Sequence, residues 1–202
     1  MLSISKKIFS GFGFVLIVCI GVSALAGYNL LKLRDIIDYM KGNYTTAMLN
    51  AQELMANVHL SATSITELVR SLRNRDESIA LYNSAKDSAF TRLDAIDVNL
   101  RDPFLKNAPN VIAFKQTTES NLIELFDLGD NYLNLPTDTE LSNASVTELL
   151  TAVRDKEIEL TSKCRSLCEA LSSYSRLMTQ RGVDSMFEIM GYIVKFLPII
   201  LL

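Results

Sequence analysis

A long alternation of apolar positions runs through the early part of the chain, from Leu33 to Leu72. The steps between these positions alternate between four and three residues, and Ser61 is the only polar member. The members are Leu33, Ile37, Met40, Tyr44, Ala47, Ala51, Leu54, Val58, Ser61, Ile65, Leu68 and Leu72. This heptad spacing is typical of a helix that packs against other helices along its whole length. We therefore expect one helix of about 40 residues and about 60 Å.

A second apolar seam with the same steps lies near the other end of the chain. Its members are Val146, Leu150, Val153, Glu157, Leu160, Cys164, Leu167, Leu171, Tyr174 and Met178. Glu157 is its only charged member. Ser145 and Glu148 have the spacing of a capping box, which predicts that the helix begins close to Ser145.

Two shorter amphipathic helices are predicted between the seams. The first extends from Asp76, the expected N-cap, to about Arg101, and the second from Pro109 to about Asn134. The sequence has no β-branched alternation that would predict a strand. Four amphipathic helices with short connections predict an all-α fold, an up-down-up-down four-helix bundle in which the two long helices lie side by side.

The first apolar end of the chain predicts a membrane helix. Residues 8–28 carry no charge and are long enough to cross ~30 Å of hydrocarbon. Lys6 and Lys7 precede them and favour a cytoplasmic N-terminus, so residues 1–7 are expected to be a cytoplasmic leader. A cleaved signal peptide is the alternative, because Lys6-Lys7, an apolar stretch and the small-residue motif Ala24-Leu25-Ala26 fit its tripartite pattern.

The second apolar end, residues 189–202, predicts the start of another membrane helix. It is too short to span a bilayer, so we expect the rest of this helix to follow Leu202. Residues 29–188 then form a domain on the far side of the membrane. The predicted location is the inner (cytoplasmic) membrane, with the bundle on its periplasmic or extracellular side.

The composition argues against several classes of function. A formal net charge of −3 and a pI near 5.3 indicate no basic surface for nucleic acid. Three cysteines and a single histidine, His59, supply neither a disulfide framework nor a metal-ligand cluster. No catalytic constellation or phosphate-binding loop is present in the sequence. We expect no enzymatic activity, no metal and no cofactor.

The order of these segments resembles a known family. A short basic leader, an apolar helix containing Gly11-Phe12-Gly13-Phe14-Val15-Leu16, and four helices that return to the membrane are similar to the sensor region of bacterial methyl-accepting chemotaxis proteins. The stretch Leu68-Val69-Arg70-Ser71-Leu72-Arg73-Asn74-Arg75-Asp76 also resembles that family. The resemblance implies a ligand-binding four-helix bundle whose arginines bind small acids or amino acids, often across a dimer interface. The same module occurs in sensor histidine kinases and membrane-bound cyclases.

Arg70, Arg73 and Arg75 crowd the end of the first long helix and are candidate ligand-binding residues. A guanidinium group can bind a carboxylate through two parallel hydrogen bonds. In the heptad, Arg70 and Arg73 fall outside the seam, which predicts a site on the outer side of the bundle. The alternative is a solvated helix end with local ion pairs such as Glu67 to Arg70.

Further candidates come from the second seam helix. Because it is expected to run antiparallel to the first, Thr147 and Thr151 should lie near the level of Arg70 and could bind the same ligand. Ser61 and Glu157, the polar seam members, are expected at similar heights and predict a polar site in the core. Surface threonines and an isolated polar exception are the alternatives.

These patterns together predict a membrane-anchored sensor module of a chemoreceptor. We expect a homodimer that binds either a small molecule, such as a carboxylate or an amino acid, or a periplasmic protein. The alternatives are the input domain of a histidine kinase or cyclase, and a membrane-tethered helical adaptor that binds a protein.

Overall fold

The computed structural model describes residues 4–70, 74–100, 109–135 and 142–201. The elements in chain order are α1 (Ile4–Met40), a π-helical segment (Lys41–Thr45), α2 (Thr46–Arg70), α3 (Arg75–Asn99), α4 (Pro109–Leu133) and α5 (Asn143–Leu201). These described ranges contain no strand, and the predicted all-α class is confirmed. The up-down-up-down order of the helices stays a prediction.

The chain divides into two compact units. Gly42–Ser173 forms one, which we call the bundle unit, and Met1–Lys41 with Tyr174–Leu202 forms the other, the terminal unit. The predicted domain, 29–188, is therefore longer at both ends than the bundle unit.

The α2 seam is the buried face of that helix within the bundle unit. Its members from Tyr44 to Leu68, Ser61 included, are at most 6% exposed. Three of them, Ala47, Ala51 and Ser61, are small, and α3 also carries small buried residues, among them Ala85 and Ala89. Small side chains let two helix backbones approach, and α2 and α3 pack closely. Leu72 lies outside the described residues.

Helix α5 packs against α2 in the opposite direction. The Cys168 thiol of α5 lies 3.8 Å from the Met48 carbonyl oxygen of α2. His59 lies eleven residues after Met48 on α2, and it contacts Glu157, which lies eleven residues before Cys168 on α5. The apolar seam of α5 is fully buried at Val153, Leu160, Cys164, Leu167 and Leu171. Earlier seam members of α5 are only half-buried.

Helices α3 and α4 are joined around a buried tyrosine. Tyr82 Oη donates to the Phe126 carbonyl oxygen at 2.8 Å and lies 2.9 Å from Asp130 Oδ1, which Lys86 also approaches through the other carboxylate oxygen. Burial, followed by the hydrogen bond to Asp130, raises the pKa of this phenol. A Cβ atom on Gly129 would lie 2.6 Å from Tyr82 Oη, so glycine is what admits the ring.

The predicted N-cap Asp76 is wrong by two residues, whereas α5 begins two residues before Ser145, close to the predicted position. Helix α3 is capped by Asn74, whose side-chain oxygen accepts from the Asp76 amide at 3.2 Å. Helix α5 begins at Asn143, because the Ser142 hydroxyl oxygen accepts from the Ser145 amide at 3.1 Å. In each case an earlier polar side chain satisfies the free amides of the first turn before the predicted cap is reached.

The first seam is not an unbroken α-helical heptad where it passes from Met40 to Tyr44. Residues Lys41–Thr45 form a π-helical segment. A π-helical turn closes its hydrogen bonds over one more residue than an α-helical turn, so the predicted single α-helix is interrupted there although the four-and-three spacing of the sequence continues. This segment also coincides with the boundary between the two units.

The terminal unit exposes a long apolar helix. Large apolar side chains of α1 are open to the surroundings, with Phe9 83% and Phe12 76% exposed. Among the described residues, one helix is long and apolar enough to cross a membrane, and its apolar window lies in α1 with none of it buried. A signal sequence would have the same properties. The side chains of the second predicted membrane segment, 189–202, lie almost entirely outside the described part.

Candidate functional site

An open cleft of about 810 Å³ lies between α2 and the N-terminal part of α5, within the bundle unit. From α2 it is lined by Ala62, Thr63, Thr66, Glu67 and Arg70. From α5 it is lined by Thr147, Leu150, Thr151, Val153, Arg154, Asp155 and Glu157. Pockets that bind small molecules commonly measure ~300–1,000 Å³, so this volume suits a small metabolite. We call it the α2–α5 cleft.

The cleft has an apolar floor and polar walls. Ala62 and Val153 are 3% and 1% exposed, and Leu150 is half-buried. The polar residues recur three or four positions apart on each helix, which places them in one row above the floor.

Two guanidinium groups in the cleft lack an acidic partner within the described part of the chain. Arg70 and Arg154 are both exposed and form no ion pair there. The local Glu67–Arg70 ion pair, which was the alternative interpretation of the sequence, is not formed. Glu67 interacts with a different group. Each guanidinium therefore keeps its donors available for a carboxylate.

The threonine hydroxyls of the cleft act as acceptors. Thr151 donates its hydroxyl proton to the Thr147 carbonyl oxygen at 2.7 Å, and Thr147 donates to Asn143 at 2.8 Å. Thr66 donates in the same way to Ala62. Because each hydroxyl has one proton, its oxygen can only accept from a further group. The cleft thus combines cationic donors with neutral and anionic acceptors.

Glu157 contacts His59, a pairing that was not predicted from the sequence. Its Oε1 atom lies 2.6 Å from His59 Nδ1, with the two side chains 25% and 73% exposed. Ser61 is fully buried and donates to the Asn57 carbonyl oxygen of its own helix at 2.8 Å. The two predicted core residues, Ser61 and Glu157, therefore have separate hydrogen-bond partners.

Three of the predicted ligand-binding residues line the cleft together: Arg70, Thr147 and Thr151. Arg75 is the exposed first residue of α3 and does not line it, and Arg73 lies outside the described residues. Arg154 and Asp155 were missed from the sequence. Their spacing of three and four residues from Thr151 was the available signal, since such residues share a helix face.

The described residues contain no group of three histidine, cysteine or acidic side chains that could hold a metal ion. Cys164 is buried, and burial together with the nearby Cys168 raises the pKa of its thiol to about 12. A neutral, enclosed thiol of this kind serves packing.

Comparison of the chain with family models, curated proteins and solved structures found no match. A function for this chain is therefore argued from its own residues. The α2–α5 cleft carries most of that argument, because it unites residues of two helices that are far apart in sequence.

Proposed function

We propose that this chain is the membrane-anchored extracytoplasmic sensor module of a receptor of the chemotaxis type. The observation that carries the proposal is the meeting of Arg70 with Thr147 and Thr151 in one cleft of about 810 Å³. The apolar α1, with Lys6 and Lys7 before it, supports anchorage in the inner membrane with a cytoplasmic N-terminus.

The chemistry of the cleft favours a small zwitterion, such as an amino acid. Arg70 and Arg154 form no ion pair within the described part of the chain, so their guanidinium groups can donate to its carboxylate. Asp155 and the hydroxyl oxygens of Thr147 and Thr151 are acceptors for its ammonium group. A simple carboxylate would use the arginines and leave the acceptors without a partner, so we expect it to bind more weakly.

The signal is proposed to travel through the helices that line the cleft. A ligand held by Arg70 on α2 and Thr151 on α5 would bind best when the two helices are closer together. Its binding would therefore favour an arrangement in which α5 is shifted along α2. Packed helices exchange between discrete arrangements, so such a shift can be passed along an element. Helix α5 continues without interruption to Leu201.

A homodimer is the proposed assembly. Leu49, Leu60 and Ile158 are large apolar residues of α2 and α5 with 55%, 37% and 56% exposure. Exposed apolar side chains on the same two helices support burial against a second copy. A periplasmic protein bound at these residues would instead make the chain a helical adaptor.

The test is a thermal-unfolding screen of the full chain in detergent micelles against amino acids and organic acids. We expect one or more amino acids to raise the unfolding temperature. The rise should disappear in Arg70→Ala and persist in Arg75→Ala, since Arg75 is an exposed arginine outside the cleft. An equal loss in both variants, or no response to any compound, would overturn the small-ligand proposal.

A further inference from the structure

A smaller cleft of about 220 Å³ lies in the terminal unit, between α1 and α5. Its main lining residues are Lys32, Leu33 and Ile36 of α1 and Met178, Arg181 and Gly182 of α5. We call it the boundary cleft. It is distinct from the α2–α5 cleft and shares no residue with it.

The floor of the boundary cleft depends on a glycine. A Cβ atom on Gly182 would collide with Leu33 Cδ1, so the absence of a side chain lets the leucine pack against α5. Leu33, Ile36 and Met178 are half-buried and give the floor its apolar character. The cleft therefore has a defined apolar base.

The two cations at the rim of this cleft have no acidic partner among the described residues. Lys32 and Arg181 are both exposed and form no ion pair there. The acidic groups nearby in sequence are engaged or lie elsewhere: Asp38 and Asp184 each contact a residue four positions away on their own helix, and Asp35 does not line the cleft. The rim is thus left with two uncompensated positive charges.

The uncharged donors of the cleft are few. The Asn29 amide nitrogen donates one of its two protons to the Leu25 carbonyl oxygen at 2.8 Å, which leaves the second proton for another acceptor. Ser185 lines the cleft and forms no hydrogen bond through its side chain within the described part. Lys32, Arg181, Ser185 and the second amide proton of Asn29 are consequently the groups that can donate to an anion.

The boundary cleft lies just beyond the apolar run of α1. Lys32 follows Tyr28, the last residue of that run, by four positions, which is about 6 Å along a helix. The phospholipid headgroups occupy the layer of about 5–8 Å that flanks the hydrocarbon on each side. When α1 spans a membrane, Lys32 lies at the depth of the lipid phosphates.

We propose that the boundary cleft binds the phosphate group of an anionic membrane phospholipid. Lys32 and Arg181 donate to the phosphate oxygens, and the first atoms of the lipid chains rest on Leu33 and Ile36. A phosphate between two cations on different helices also links α1 to α5. This inference rests on the membrane crossing that is part of the proposed function.

The test uses fluorescence quenching by brominated lipids. The chain contains no tryptophan, so a Tyr28→Trp variant carries a single reporter one helical turn from Lys32. The variant is reconstituted into vesicles of equal parts phosphatidylcholine and phosphatidylglycerol, with the bromines on one lipid or on the other. We expect brominated phosphatidylglycerol to quench more strongly, which reports its enrichment beside the cleft.

The variants Lys32→Ala and Arg181→Ala separate a built site from a general attraction to charge. Each should lower the enrichment about tenfold or more, the effect of losing a hydrogen bond between charged groups. Arg34→Ala is the matched control, because it removes the same charge from α1 but Arg34 is paired with Asp38 and does not line the cleft. An equal loss in the control, or equal quenching by the two lipids, would overturn the inference.

Three outcomes distinguish the sources of failure. Quenching by neither brominated lipid would mean that α1 does not enter the bilayer, which removes the membrane anchorage as well. Quenching by both lipids without preference would remove only the lipid site. Loss of the preference on adding inorganic phosphate would assign the cleft to a soluble phosphate, whereas we expect the preference to persist.

Discussion

The pairing of α2 with α5 is closed over one stretch and open over the next. Between Ala47 and Val58 the seam positions of α2 are 0% exposed, and Leu160, Leu167 and Leu171 of α5 are equally buried. Between Ala62 and Arg70 the same two helices form the walls of the α2–α5 cleft. The heptad continues through both stretches, so the apolar pattern alone does not decide whether two helices close.

The change from closed to open occurs at the charged member of the α5 seam. Glu157 replaces an apolar residue there and reaches outward to His59 at 2.6 Å. A carboxylate is costly to bury without full compensation, and the partly exposed pair keeps it near water. Beyond it, Val153 is still buried and forms part of the cleft floor, whereas Leu150 is only half-buried and also lines the cleft.

The largest difference between the two stretches should appear on truncating a leucine. Leu160→Ala in the closed stretch should lower the free energy of unfolding by about 2–5 kcal/mol, because the side chain is fully buried and leaves a cavity. Leu150→Ala at the cleft should cost ~1–2 kcal/mol, since part of that surface already meets water. Urea unfolding of the full chain in micelles, followed by circular dichroism, measures both. Equal losses would contradict the division into closed and open stretches.

A second closed region, between α3 and α4, can be probed through Gly129. Gly129→Ala would place a methyl group 2.6 Å from Tyr82 Oη, and overpacking of this kind costs about 1–3 kcal/mol. Gly42→Ala is the control, because a Cβ atom there meets nothing within 4 Å. If both variants unfold at the same urea concentration, Tyr82 is not packed on Gly129 as described.

The closed regions were the part of the fold that the sequence could predict. Seam positions such as Leu54 and Leu160 are fully buried as their spacing indicates. The spacing could not reveal the π-helical segment, because the apolar positions continue at steps of three and four through Lys41–Thr45. The N-cap of α3 differed because several polar residues compete near the helix start and only tertiary packing selects one.

The candidate site was predicted only in part. Counting along antiparallel helices brought Thr147 and Thr151 to the level of Arg70, and the three residues share one cleft. The same counting could have predicted the contact between His59 and Glu157, but a single histidine on a helix surface does not by itself indicate a partner. Arg154 was not predicted, because an exposed arginine indicates a ligand site only when the residues of α2 that face it across the cleft are known.

The His59–Glu157 pair, which lies between the closed stretch and the cleft, should contribute little to the free energy of unfolding. A double-mutant cycle with His59→Gln and Glu157→Gln should give a coupling of about 1 kcal/mol or less, because the histidine is 73% exposed and the pair is screened by water and salt. A coupling above about 2 kcal/mol would mean that the pair, rather than the apolar seam, holds α2 to α5.

The smallest expected effect is an acid-dependent one between α4 and α5. The hydrogen bond and charge of Lys156 lower the pKa of the Glu124 carboxyl below its ordinary value of 4.5. Such a contribution is fully present above 4.5 and is lost as the pH falls through the lowered pKa. The wild type should therefore lose slightly more stability than Glu124→Gln between neutral and acidic pH, and salt should reduce the difference. Glu119→Gln, an exposed change on the same helix, should behave as the wild type.

The most direct test of the central claim is the affinity of the α2–α5 cleft for the amino acid that stabilises the protein best. Isothermal titration calorimetry would compare the full chain in micelles with Arg70→Ala and with Arg75→Ala. Loss of a charged hydrogen bond predicts an affinity about tenfold to a hundredfold weaker for Arg70→Ala and unchanged for Arg75→Ala. Equal affinities in all three proteins would show that the ligand binds elsewhere and would contradict the account.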